Sequence, residues 1–389
     1  MTTAKGATQR DARSLPDVEL VGGLSHGAPA NLIDQRKSAR GDDFAARPWA
    51  REPRLLVLGI IPSLTWSVTR CLSRGGYKPV VLGWHRWSPL SLLPDCTYEP
   101  LVNVNWIEDE LDPDLAEQVE AACKKHDVDL VLPVDFPGVM LMARHGSRVQ
   151  SARVAAVPDP DLMIKLHDKW RFSQVLGELG IAQPRTAVAH NVEELRRAEI
   201  PFPIITKPID RWASVGFQLH RSPQELEQTI ANGGLSAEFP LLVQDFIPGK
   251  DVGFAFLARQ GKLIAHAAFE QPKLGVRRYF DAGPLVPNME RLLEATGYHG
   301  LGEIDTRYDP SRDEYRVLEV NPRCWASILY AQHAGMNFPE LLMRMSLTGP
   351  DAKFTGRVRP VRLSHYELGV AKVMQLAERV HSLKLRYLG

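Results

Sequence analysis

Leu318-Glu319-Val320-Asn321-Pro322-Arg323 reads as the end of a β-strand in which Glu319 and Asn321 share one face. An earlier strand, Leu301 to Tyr308, carries Glu303 and Asp305 on one face in the same way, and the polar turn Asp309-Pro310-Ser311-Arg312-Asp313 joins the two as a hairpin. With the turn centred on Arg312, Asp305 stands directly opposite Glu319. Facing carboxylates repel and weaken a sheet unless a cation joins them. Oxygen ligands from Asp305, Glu319 and Asn321 are what Mg²⁺ (or Mn²⁺) accepts, with positions left for phosphate oxygens and water. Arg323 follows at once behind Pro322 and sets a fixed cation where a phosphate would lie. The plain alternative is the solvated edge of an exposed hairpin.

The chain around this hairpin has 389 residues, 44% of them apolar and 24% charged. At about 100–200 residues per domain this length predicts two or three domains. A formal net charge of +1 gives no basic or acidic field, so neither nucleic acid nor an anionic membrane is expected as a partner. No apolar run approaches the roughly 18 residues of a membrane span. The N-terminus has no apolar signal core, so a cytoplasmic location is expected. Cys71, Cys96, Cys123 and Cys324 form no CxxC pair and read as reduced core residues.

Residues 1–50 show no sustained period and read as a disordered arm. Order begins with Leu55-Leu56-Val57-Leu58-Gly59, an unbroken apolar run of the kind found in a strand buried on both faces. A helix from Ser63 to Arg74, with Ser63 the N-cap candidate, a strand Tyr77 to Leu82, a helix Leu111 to His126 and a strand Asp129 to Val134 complete a strand–helix alternation. That spacing predicts an open parallel α/β sheet over residues 54–157. The turn Gly59-Ile60-Ile61-Pro62-Ser63-Leu64 holds one glycine, so the pyrophosphate fingerprint of a dinucleotide enzyme is missing. Beyond Pro158 the pattern changes. A long helix, Pro160 to Leu179, leads into strand candidates Pro203 to Pro208, Gly216 to His220, Leu241 to Ile247, and a hairpin of Asp251–Arg259 and Lys262–Ala268 about Gln260-Gly261, an α+β arrangement with antiparallel sheet. Lys273 to Phe280 reads as a loop, either a solvated charge run or a stretch from which Arg277 and Arg278 could meet a carboxylate. His266, His299 and His333 lack metal-ligand spacing. The last residues, 351–389, hold one helix, Tyr366 to His381.

Four stretches in order resemble one known family, the ATP-grasp ligases: Asp168-Lys169 with Gly180 to Thr186, Phe202 to Pro208, Val243 to Asp251, and Leu318 to Arg323. The family joins a carboxylate to an amine or similar nucleophile at the expense of ATP. The resemblance falls with the carbamoyl-phosphate-synthase-like group, which includes D-aspartate ligases and amino-acid ligases. It implies a pre-ATP-grasp α/β domain followed by a two-lobed ATP-grasp domain over residues 158–350, with ATP and Mg²⁺ as cofactors. Lys169 and Lys207 would bracket the α- and β-phosphates as mobile point charges. The hinge strand would receive adenine through Gln244, Asp245 and Ile247, and Asp251 would accept the ribose hydroxyls. Ser214 and Gly216 would belong to a small-residue lid whose N–H groups cover the phosphates. Asp305, Glu319 and Asn321 would hold the metal, with Arg323 as the catalytic cation.

Two positions depart from the family pattern. Gln244 stands where Glu is frequent, and its carbonyl can still accept from adenine. Glu303 stands where dipeptide-forming relatives can carry an arginine. An acid there serves the metal or meets a positive amine. The function expected is a carboxylate–amine (or carboxylate–thiol) ligase acting through an acyl phosphate, with small-molecule carboxylate and amine substrates. A homodimer is compatible with it. The rivals are an ATP-grasp enzyme with another acceptor, such as bicarbonate, and a non-catalytic nucleotide sensor.

Overall fold

β1 (Leu55–Gly59) is buried at every position, and its side chains divide strictly between two cores. Leu55 and Val57 pack on Leu64, Trp66 and Val68 of α1 (Pro62–Arg74), whereas Leu56 and Leu58 face the opposite layer. The computed structural model describes residues 51–84, 88–104, 106–107, 110–209, 216–235, 239–273, 275–348 and 360–387. The expected arm and most of the expected lid loop, including Ser214, lie outside the described residues.

β2 (Val80–Gly83) and β3 (Thr97–Pro100) follow, then a two-stranded ladder of β4 (Trp106–Ile107) and β5 (Glu110–Leu111). α2 (Leu115–His126), β6 (Leu130–Pro133), α3 (Phe136–His145) and β7 (Arg153–Val154) complete the first unit. The strands run in the order β3-β2-β1-β6-β7, all parallel, as the alternation predicts. α2 and α3 cover Leu56 and Leu58 through Leu115, Val119 and Leu141. β2 starts after Pro79, which lacks the N–H a ladder needs.

The long helix expected from Pro160 to Leu179 is two helices, α4 (Pro160–His167) and α5 (Lys169–Glu178). Asp168 breaks it: its ψ of 112° is extended, and its Oδ1 accepts from the N–H groups of Trp170 and Arg171, both at 2.9 Å. A capping side chain that satisfies two orphan donors outcompetes one more helical residue.

β8 (Thr186–Ala189), α6 (Val192–Arg197), β9 (Ile204–Pro208), β10 (Gln218–His220), α7 (Pro223–Ala231) and β11 (Leu241–Asp245) form one lobe. Its antiparallel sheet has the order β10-β9-β11-β8. The other lobe holds β12 (Lys250–Arg259), β13 (Lys262–Lys273), β14 (Val276–Phe280), α8 (Val286–Thr296), β15 (Gly300–Asp309) and β16 (Glu314–Asn321). α9 (Ile328–His333), α10 (Phe338–Thr348), β17 (Pro360–Arg362) and α11 (His365–Tyr387) follow. Its sheet has the order β16-β15-β12-β13-β14-β17. Gln260 and Gly261 turn the β12–β13 hairpin at φ of 48° and 82°. The stretch Lys273 to Phe280, expected as a loop, is instead largely strand. Val276 and Tyr279 are buried there, and Phe269 pairs with Tyr279 and Glu270 with Arg278. One face of this sheet packs Phe254, Phe256 and Ile304 on α8 and α5; the other runs from the acids to α9 and α10.

The C-terminal segment is part of the body. β17 extends the six-stranded sheet, and α11 lies on α1. Ser63 does not cap α1, which begins at Pro62 with no side-chain cap from Ile61. Instead the N–H of Ser63 donates to Glu378 of α11 at 2.6 Å. Glu367, 1% exposed, anchors the other end against His333, Arg70 and Arg74 and accepts from Ser364 N and Oγ. Burial pushes its carboxyl up, but bonds from His333 and Ser364 outweigh this and hold it at about 2. A folded-state value of about 2 against an ordinary 4.5 means stability that is present above pH 4.5 and lost as pH falls toward 2. The shift corresponds to roughly 3 kcal/mol. Glu367→Gln should therefore lower the melting temperature by several degrees at pH 7 and flatten the acid-side loss; a melting curve at each pH checks both.

Candidate active site

The acid hairpin forms as its sequence predicts, by a slightly different route. Asp305 pairs with Glu319 and Glu303 with Asn321 across β15 and β16. The turn closes between Asp309 and Glu314, half a residue before the expected centre, and a bulge at Leu318 restores the register at the site. All four polar side chains thus share one face.

Two lysines reach that face from other elements. Lys169, first residue of α5, is placed by the Asp168 cap. It is 8% exposed, and its Nζ lies 3.9 Å from Glu319 Oε2 and 3.5 Å from the carbonyl of Ile209. Lys207, on β9 of the facing lobe, is pulled below its ordinary range by burial, while Glu319 and Asp305 pull it back and Lys169 adds to the fall. Both expected phosphate lysines therefore lie at the expected acids.

Arg323 donates from Nη2 to Asn321 Oδ1 at 2.9 Å and from Nη1 to the carbonyl of Cys324 at 2.6 Å. The next N–H, of Cys324, bonds Val134 O at the end of β6, which docks the hairpin on the parallel sheet. Beside it Asp135, fully buried, accepts from Ile60 N and Ile61 N at 2.5 and 2.6 Å and caps α3 through Gly138 N. Burial raises its carboxyl despite these bonds. Asp135 was not foreseen, although an Asp between an apolar strand and Phe136-Pro137 is an N-cap signal.

The acids carry the electrostatic load. Burial, then Asp305, pushes Glu303 well above the carboxylate range; burial, then Glu319, pushes Asp305 up to about 7. Among the described residues no three His, Cys, Asp or Glu side chains close on a point where they could hold a metal. Two carboxylates and an amide fit Mg²⁺, which keeps waters and phosphate oxygens in its shell. Asn321 turns its NH₂ to Glu303 and Asp305, 3.4 Å from each, and its oxygen to Arg323, so its amide must turn over to serve as a ligand.

The hinge is narrower than expected. Gln244, buried on β11, donates to Thr186 Oγ1 at 3.0 Å. The backbone N–H groups of Asp245 and Phe246 go to Arg185 O and Pro203 O, which leaves Asp245 N committed within the protein and not free for the adenine contact expected of it. The Asp245 carboxylate accepts from Arg185 N. Asp251 is exposed, pairs with Arg307 at 3.1 Å and acts electrostatically on Asp305. Gly216, at φ 77°, begins the described chain after the lid loop.

The comparisons agree with this geometry. A family profile for a RimK-like ATP-grasp domain matches residues 166–253, and one for ATP-grasp in the biosynthetic pathway with Ter operon matches 238–367. The C-terminal section of the carbamoyl phosphate synthase large chain of Methanopyrus kandleri is 26% identical over 226 residues, covering 50% of this chain and 42% of that protein. The D-aspartate ligase of Enterococcus faecium is 25% identical over 227 residues, covering 51% and 53%. The chain thus spans about half the length of these two curated relatives. The L-amino acid ligase of Bacillus licheniformis superposes with a TM-score of 0.58 at 17% identity over 80% of this chain and 78% of that one. An N5-carboxyaminoimidazole ribonucleotide synthetase gives 0.62 at 15% identity, over 80% and 81%. The chain belongs to the ATP-grasp superfamily. No helix among the described residues is long and apolar enough to cross a membrane.

In the metal-free protein a carboxyl at about 7, against an ordinary 3.8, favours folding below pH 3.8 and loses that advantage as pH rises through 7. Asp305→Asn removes the buried charge. In chelator the variant should melt several degrees above the unsubstituted protein at pH 8 and about level with it near pH 4; an equal offset at both would contradict the assigned repulsion.

Proposed function

We propose that the protein is a Mg-ATP-dependent ligase that joins a small carboxylate to an amine, or to a thiol, through an acyl phosphate. The observation that carries this reading is the convergence of Lys169, Lys207 and Arg323, from three different elements, on Asp305 and Glu319. So many charges at one lobe interface suit a polyphosphate and its cation better than they suit stability.

Lys169 and Lys207 would neutralise the α- and β-phosphates. Asp305, Glu319 and a turned Asn321 would hold Mg²⁺, which when bound withdraws charge from the phosphate oxygens. The substrate carboxylate, aligned by Arg323, attacks the γ-phosphorus; the bridge bond to the β-phosphate breaks, and ADP leaves with those electrons. The nucleophile then attacks the acyl carbon, and inorganic phosphate departs as its nitrogen or sulfur loses a proton. The protein's own part is alignment and charge neutralisation. Four buried cysteines with no disulfide suit a reducing cytoplasm.

Phosphate release with Mg-ATP across a matrix of amino acids and small carboxylates tests the reading. Glu319→Gln should abolish release. Lys169→Met and Lys207→Met should each weaken nucleotide binding by roughly 10–150-fold, as expected for one charge-assisted contact. A doubly substituted, folded protein that binds ATP as before would refute the phosphate assignment.

A further inference from the structure

Arg277 and Tyr279 stand two residues apart on one face of β14, and that face continues to the acids. Tyr279 pairs with Phe269, Phe269 with Gly253, and Gly253 with Asp305. A Cβ on Gly253 would come within 2.3 Å of the Phe269 ring, so the glycine lets that ring lie over the sheet between β14 and the acids. The Arg277 guanidinium sits 5.1 Å from the ring centre of Tyr330 on α9 and 5.9 Å from that of Phe269. Its hydrogen bonding among the described residues is one 3.4 Å contact to Val276 O, and its buried Nε has no partner. Tyr279 is 2% exposed, and its hydroxyl has none either. Tyr279 lies within electrostatic reach of Arg277, Glu303 and Tyr330, and Glu303 within reach of Arg277. Arg278 projects to the other face and pairs with Glu270.

Buried donors without acceptors are uncommon and unfavourable, and here the Tyr279 hydroxyl stands beside the Arg277 cation, whose own Nε is unpartnered and which has no carboxylate partner among the described residues. We propose that Arg277 and Tyr279 form a subsite for a carboxylate that does not react, carried by the amine acceptor. The acceptor is then an amino acid, its carboxylate held on β14 and its amine directed back along the face toward Glu303 and Arg323. The assignment to the acceptor follows from position: a reacting carboxylate must reach the metal acids on β15 and β16, whereas β14 stands three strands from β15 in the sheet. A guanidinium between two rings is well suited to this, since it is weakly hydrated and pairs with carboxylate in a fixed fork. An amine lacking the carboxylate would leave both donors unpaired. The inference rests on the ligase reading.

The test uses the full chain with Mg-ATP, pooled small carboxylates and three acceptors: pooled amino acids, their decarboxylated amines, and hydroxylamine, which traps an acyl phosphate without a carboxylate of its own. The amino-acid pool should outperform the amine pool at least tenfold. Arg277→Met should cut kcat/KM for the amino-acid acceptor by roughly 10–150-fold, at least ten times more than it cuts hydroxamate formation, and Tyr279→Phe, which keeps the core shape, should shift the same ratio in the same direction. Equal performance of the two pools, or equal losses with both kinds of acceptor, would overturn the subsite; the latter places the carboxylate on the donor instead. Absence of hydroxamate from the unsubstituted protein would strike the ligase reading itself, and the subsite with it.

Discussion

Asp305 and Glu319 face each other across a two-stranded ladder, and a sheet does not hold such a pair without help. The help comes from outside the hairpin. Lys169 arrives from a helix that starts there only because Asp168 caps it, and Lys207 from a strand of the opposite lobe. Arg323 arrives from the turn that docks on the parallel sheet through Cys324 N and Val134 O. Three layers of the fold meet where two carboxylates need cations.

That arrangement trades stability for function. Glu303 is held away from its ordinary ionisation by burial and by Asp305, Asp305 by burial and by Glu319, and Lys207 by burial. An apolar replacement of such a cluster is often neutral or stabilising. Elsewhere the charges behave conventionally. Glu367, with His333, Ser364 and two arginines, strengthens the junction of α11, α9 and α1. The contrast between a buried carboxyl held at about 2 and one pushed up to about 7 separates scaffold from site.

Much of this was legible in the sequence where a local rule governs. Leu55 to Gly59 announces a strand covered on both faces, and the alternation in Leu318 to Asn321 puts Glu319 and Asn321 on one face. The register at Asp305 came out right through two departures that offset each other, a turn centred earlier and a bulge at Leu318. What the sequence hid depends on contacts distant along the chain. The break at Asp168 required weighing one cap against a helical run. The strand nature of Val276 to Phe280 depends on β13 and β17 as neighbours, and the placing of Tyr279 and Arg277 on one face depends on that strand existing. Glu378 serving the start of α1 from 315 residues away has no local signal at all.

The central claim is that the charges gathered at the hairpin activate a carboxylate by phosphorylation. The most direct measurement follows oxygen. With a substrate carboxylate labelled with ¹⁸O and unlabelled Mg-ATP, the account predicts that each inorganic phosphate released carries one labelled oxygen, because the carboxylate oxygen bridges to phosphorus and leaves with it. Phosphate released in step with product but free of label would contradict the account.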